Sequence, residues 1–154
     1  MNMIMLKLNL GCGHRKFISY VNIDIKKECN PDICLDIEKE KLPFKDSSVM
    51  IIYSNHFLEH ITPQNWIKVL KEMYRVSKNG AIWIIKVPYG VYGLYNPFHY
   101  RAFNFLTFDY FNPKHDTKQT NIKLIQLNKA SLIKRLIYRI IPKKEITYKL
   151  KCLK

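Results

Sequence analysis

Acid is scarce in this chain. Twelve Asp and Glu stand against 26 Lys and Arg, a net charge of +14. The imbalance fits an acidic partner: nucleic acid, an anionic lipid surface or a phosphorylated substrate. It fits as well a solvated surface drawn from a Lys-, Ile- and Asn-rich proteome. Long apolar runs are also missing. The longest, Val49–Tyr53 and Ala81–Ile85, fall far short of a membrane-spanning helix. The N-terminus has no basic region followed by an apolar core and a cleavage site, so a cytoplasmic location is expected. Cys12, Cys29, Cys34 and Cys152 form no Cys-x-x-Cys pair, which argues against a zinc ribbon and for reduced, structural thiols. No repeat, low-complexity tract or linker divides the sequence.

What remains is the pattern of a globular chain. At 154 residues, 47% hydrophobic and 13% aromatic, it is expected to form a single domain over 1–154 with a real core. Strands are read at Leu6–Leu10, Tyr20–Ile25, Asp32–Leu35, Val49–Ser54 and Ala81–Val87. Thr62 offers an N-cap and Pro63 a first helical position. Trp66, Val69, Leu70, Met73 and Val76 follow at helical spacing, and Asn79-Gly80 is expected to end that helix. Tyr89 to Pro113 reads as an aromatic loop. Asn121–Leu127 reads as a strand, Lys129–Ile141 as a basic amphipathic helix, and Ile146–Leu153 as a last strand. Alternating strands and helices with a hairpin-like end imply an α/β, Rossmann-like, mostly parallel sheet with an antiparallel C-terminal pair. Only Gly11 to Ser19 separates the first two strands, so the first crossover helix must be a single turn or absent.

The most informative segment is Leu8-Asn9-Leu10-Gly11-Cys12-Gly13, followed by Val21-Asn22-Ile23-Asp24-Ile25. An apolar strand runs into glycines that allow unusual dihedrals and close approach of a ligand. An acid ending the next strand can accept from a pair of ribose hydroxyls. A dinucleotide fold is disfavoured, because the third glycine of its fingerprint is missing and the pyrophosphate-binding helix has no room.

These residues resemble motif I of the class I S-adenosylmethionine (SAM)-dependent methyltransferases. The likeness continues through Asp36-Ile37, Leu42-Pro43-Phe44, Asn55-His56-Phe57-Leu58-Glu59-His60 and Arg75-Val76-Ser77-Lys78-Asn79-Gly80. It extends to Asn96-Pro97-Phe98-His99-Tyr100-Arg101 and Thr107-Phe108-Asp109-Tyr110-Phe111. The resemblance implies S-adenosyl-L-methionine as cofactor. It places Asn9, Gly11, Cys12 and Gly13 around the methionine end, Asp24 and Ile25 at the ribose, Asp36 and Ile37 at the adenine, and Asn55 beside them. Two positions depart from the pattern. Asn9 replaces the usual Asp and cannot neutralise an ammonium, and Met50 stands where relatives often carry an acid.

His56, His60 and His99 are the candidate bases, since imidazole suits proton transfer near neutral pH. Tyr100 and Arg101 are candidate substrate-binding residues, with Arg101 able to grip a phosphate or carboxylate. Read literally, His56-Phe57-Leu58-Glu59-His60 is the inverted zinc-peptidase signature. No third ligand stands at a convincing place, with Glu72 and Glu145 the only candidates, and no metal is expected. The expected acceptor is an oxygen or nitrogen of a small molecule, a sugar first. Two other readings compete. RNA methylation has charge alone in its favour, with no Asn-Pro-Pro-Tyr-type motif for a flipped base. A degenerate methyltransferase fold that binds without turnover is favoured a little by Asn9, Met50 and the short crossover. Peripheral membrane contact through the basic helix is open, and the oligomeric state is not legible.

Overall fold

The structure is a computed structural model describing residues 5–115, 117–128 and 144–154. Its strands are β1 Leu6–Leu10, β2 Val21–Asp24, β3 Ile33–Cys34, β4 Val49–Asn55, β5 Ser77–Pro88, β6 Leu124–Gln126 and β7 Glu145–Cys152. They form one sheet in the order β3-β2-β1-β4-β5-β7-β6. The first five strands are parallel, and β7 runs antiparallel between β5 and β6. This is the Rossmann-like sheet with an antiparallel end that the sequence pattern implies. The residues explain it locally. In β7, Ile146, Tyr148, Leu150 and Cys152 are buried while Thr147, Lys149 and Lys151 are exposed, the alternation of a strand with one face in water. β1 and β4 are adjacent, yet β1 leads outward to β2 and β3 and β4 leads the other way to β5. A crevice opens at the carboxyl ends of strands at such a switch point.

No helix joins β1 to β2, as the short connection requires. The buried Asn22 side chain holds the connection instead. Its Oδ1 accepts from Phe17 N–H and from Asn9 Nδ2, both at 2.9 Å, and its Nδ2 donates to Asp32 at 2.8 Å.

The helix between β4 and β5, α1, spans Trp66–Val76 and buries Trp66, Val69, Leu70, Met73 and Val76. Its ends differ from the sequence reading. Thr62 does not cap it. The Thr62 hydroxyl donates to the Glu38 carboxylate and accepts from Asn65 Nδ2 at 3.0 Å, and Thr62–Asn65 is a turn before the helix. With its hydrogen on Glu38 and a lone pair on Asn65 Nδ2, the hydroxyl is turned toward those side chains. Nor does Asn79-Gly80 end the helix. It stops at Val76, because Ser77 Oγ donates to Met73 O at 2.7 Å and accepts the Trp83 indole N–H at 2.8 Å, turning the chain directly into β5. Gly80 has the expected left-handed φ of 82°, but inside β5. There the pairing with β4 slips between Val49↔Ser77 and Ile51↔Ile82.

The aromatic loop makes short 3-10 turns at Gly90–Tyr95 and Asp109–Phe111. Phe103, Phe108 and Phe111 are buried, and Phe98, Tyr100 and Tyr110 are exposed. The expected basic helix Lys129–Ile141 lies outside the described residues.

Candidate active site

At the carboxyl edge of β1, β2 and β4 lies a cleft of about 760 Å³. That is the size of a small-molecule or cofactor pocket. Its apolar walls include Leu10, Ile23, Leu35, Ile37, Phe57 and Ile61, and its polar rim includes Asp24, Asp36, His56 and His60. Gly11, Gly13 and Ile25 line it as well, and Phe98 reaches it from the aromatic loop.

Gly11 and Gly13 hold φ of 63° and 50°, values that disfavour any residue with a Cβ. A Cβ on Gly11 would lie 2.5 Å from Cβ of Phe57, whereas one on Gly13 would meet nothing within 4 Å. Asp24 organises the turn: Oδ2 accepts Gly13 N–H at 2.8 Å and Oδ1 accepts Lys26 N–H at 2.9 Å. An ionised carboxylate has about four acceptor positions, so a ribose diol has two left to engage. Asp36 accepts Glu38 N–H at 3.0 Å and pairs with Lys39 at 3.0 Å.

Asn9 and Cys12 are not among the cleft-lining residues. Asn9 is 2% exposed, and its amide donates to Arg15 O and Asn22 Oδ1, both at 2.9 Å. Its contact with the cleft passes through the turn it braces. The Cys12 thiol is buried, and burial followed by the nearby Asp24 pushes its pKa up to about 11. It is therefore no thiolate nucleophile near neutral pH.

The segment after β4 carries the densest polar chemistry. His56 has a left-handed φ of 52°, and its N–H donates to Lys86 O at 2.9 Å. Its Nδ1 faces Glu59 Oε1 at 3.0 Å and its Nε2 faces Glu145 Oε1 at 2.6 Å. Glu145 also pairs with Lys86. The Lys86 ammonium first, and His56 with it, hold the Glu145 carboxyl below the usual carboxylate range against the opposing effect of burial. Both nitrogens of His56 are engaged, so a lone pair is free there only if one contact opens. Asn55 is not among the cleft-lining residues, and its Oδ1 is buried without a partner.

His60 Nδ1 contacts Phe98 O at 3.2 Å, and His99 Nδ1 contacts Gly93 O at 2.6 Å. The two rings meet edge to face, 4.6 Å between centroids. Tyr100 N–H donates to Glu59 O at 2.8 Å, pinning the aromatic loop to the turn Leu58–His60. Arg101 lies over the Trp66 ring, 3.7 Å from its centroid, and burial lowers its pKa. The structure thus brings His56, His60 and the two glycines to one cleft with Asp24 and Asp36. His99 and Tyr100 stand beside it, and Arg101 stacks away on α1.

The sequence offers Glu145 only as a distant candidate third ligand for His56 and His60. Its contact with His56 follows from the strand order, because Pro88↔Glu145 is the last pair of the β5–β7 ladder and no local signal carries that pairing.

Known proteins match this description. The sequence profile described as a methyltransferase domain matches residues 8–85. A search of curated proteins finds no match. Among solved structures, a SAM-dependent methyltransferase from Archaeoglobus fulgidus superposes with a TM-score of 0.62 at 16% identity, covering 96% of this chain and 86% of that one. The YcgJ protein of Bacillus subtilis gives 0.59 at 14%, covering 96% and 88%. A phosphoethanolamine N-methyltransferase 2 from Haemonchus contortus, solved with S-adenosyl-L-methionine, gives 0.58 at 14%, covering 100% and 49%. The chain belongs to the methyltransferase domain family, within the class I SAM-dependent methyltransferases, whose cofactor is S-adenosyl-L-methionine.

Proposed function

We propose that the chain transfers a methyl group from SAM to an oxygen or nitrogen of a small molecule, with a sugar hydroxyl as the first candidate. The observation that carries this reading is Asp24. It is fixed by two backbone N–H groups, keeps free acceptor positions and lines a cleft of about 760 Å³. The residues fit the cofactor on their own chemistry: an acid for the ribose, an apolar wall with Ile37 beside Asp36 for the adenine, and a left-handed glycine turn for close approach. Bound there, SAM supplies an activated methyl group.

In this reading Gly11 and Gly13 admit the methionine end, and Asn9 and Cys12 support them from beneath. Asp24 with Ile25 holds the ribose, and Asp36 with Ile37 holds the adenine. Asn55 ends β4 next to His56. Methyl transfer to a neutral hydroxyl or amine releases a proton, and a histidine at the cleft is placed to take it. His56 orients that edge through Glu59 and Glu145, while His60 and His99 each keep a ring Nε2 for proton acceptance. Tyr100 shapes the acceptor side, and Arg101, stacked on Trp66, supports the aromatic loop from α1. Alignment of nucleophile and methyl supplies most of the rate.

We read residues 1–154 as one domain and the protein as cytoplasmic, on its free cysteines. Among the described residues no helix is long and apolar enough to cross a membrane.

The test is a coupled assay for S-adenosylhomocysteine release over a panel of sugars, amines and RNA. Acceptor-dependent release with a sugar or amine, reduced about 100-fold in His60→Ala at unchanged SAM affinity, is the expected result. Release with RNA alone, falling steeply with salt, overturns the small-molecule reading.

A further inference from the structure

Where the aromatic loop meets the turn after β4, three side chains converge. One carboxylate oxygen of Glu59 and one ring nitrogen each of His60 and His99 lie within 4.8 Å of one another. Glu59 is fully buried. Its Oε1 is engaged by His56, and its Oε2 has no hydrogen-bond partner. A buried, unpaired carboxylate oxygen is costly to maintain, and a cation removes that cost.

The histidines are prepared in the complementary way. Each places Nδ1 against a backbone carbonyl, Phe98 O for His60 and Gly93 O for His99. A carbonyl oxygen can only accept, so Nδ1 is the donor in both contacts and Nε2 is the ring nitrogen left for a ligand. A histidine whose other N–H is held by a backbone carbonyl is the usual arrangement around a bound metal. The sequence spacing pairs His56 with His60. In the structure both nitrogens of His56 go to Glu59 and Glu145, and His99 supplies the ligand that the linear motif lacks.

We propose that Glu59, His60 and His99 form a site for a divalent transition metal, zinc by its two-imidazole, one-carboxylate donor set. Zinc with bonds near ~2.1 Å separates tetrahedral ligand atoms by about 3.4 Å, so the group has to close by about 1–1.5 Å from its present spread. His60 is exposed and His99 half-buried, which leaves their side chains free to rotate. Tyr100 N–H on Glu59 O already holds the two segments together. Three protein ligands leave a position open. His60 lines the cofactor cleft, so with a metal bound the open position would serve an oxygen-bearing acceptor and the two imidazoles would hold the metal instead of taking a proton; that use rests on the methyl-transfer reading, whereas the metal site does not.

The experiment titrates cobalt(II), as a spectroscopic substitute for zinc, into the metal-free chain of residues 1–154 without SAM. One equivalent is expected, with visible d–d bands and no thiolate charge-transfer band. His60→Ala and His99→Asn should each weaken binding about 100-fold, while His115→Ala, whose ring pairs with Asp109 elsewhere, stays within about twofold. The conservative His99→Asn keeps the test usable where an alanine variant fails to fold. Absence of binding, a thiolate band, or equal loss in His115→Ala overturns the proposal. SAM is titrated separately into the same protein. Cobalt binding without SAM binding leaves the metal site standing and removes the cleft reading; SAM binding without cobalt does the reverse.

Discussion

Gly11 and Gly13 share a left-handed backbone but not the same surroundings, and that difference makes them separable. Gly13→Ala meets open space, so its cost is the left-handed strain alone, about 1–2 kcal/mol. Gly11→Ala adds a clash with the Cβ of Phe57, which torsion of the ring cannot relieve, for about 1–3 kcal/mol more. Urea unfolding of the two variants checks the order, and a Gly13 variant less stable than the Gly11 variant contradicts it. This much of the site is legible in the sequence, because Gly-x-Gly after an apolar strand and Asp24 after the next are local signals. Asn9 shows the limit. Its type and position suggest a cofactor contact, yet its amide is used up by Arg15 O and Asn22. A connection too short for a helix needs a buried polar brace, and which asparagine supplies it depends on tertiary contacts.

At the scale of elements, the junction of α1 and β5 depends on one hydroxyl. Ser77→Ala leaves the buried Trp83 indole N–H unpaired, an expected loss of about 1–3 kcal/mol. Thermal melts of the variant check it, and an unchanged midpoint removes Ser77 from the account. The strands and the helix body are readable from periodicity, whereas the order of the strands in the sheet rests on pairings between distant segments. The helix ends are not readable that way, since the Thr62 hydroxyl turns to Glu38 and Asn65 and only the fold brings Glu38 to it. The same holds for Arg75, which reaches Glu72, Asp46, Leu42 O and Phe44 O. It clamps residues 42–46 onto α1.

At the scale of the whole molecule, three glutamates among the described residues are held below their ordinary range, as is Asp32 through hydrogen bonds from the Asn22 backbone and side chain. Lys86, then His56, lowers Glu145. For Glu38 and Glu72 burial pushes upward, but hydrogen bonds from Thr62 and Asn65, and from Arg75 and Leu42 N–H, outweigh it. A folded pKa below the unfolded value, about 4.3, means that the unfolded chain binds more protons in the acid range. These groups therefore contribute stability in full above that value and lose it as pH falls through the lower folded pKa values. Melting temperature should drop on acidification below about pH 4.3, and less steeply in Glu72→Gln; an equal slope contradicts the assignment. The net charge of +14 belongs to this scale as well. Were it a nucleic-acid footprint, RNA affinity would fall with the logarithm of salt in proportion to the phosphates contacted.

If Asp24 and its glycine turn hold SAM, calorimetric titration of SAM and S-adenosylhomocysteine into wild type and Asp24→Ala will separate the two proteins. One micromolar site is expected in the wild type, weakened about 100-fold or more in the variant by loss of charge-assisted hydrogen bonds, with the circular dichroism spectrum unchanged. No heat from the wild type at concentrations that detect millimolar binding, or equal affinity in the folded variant, would contradict SAM binding there.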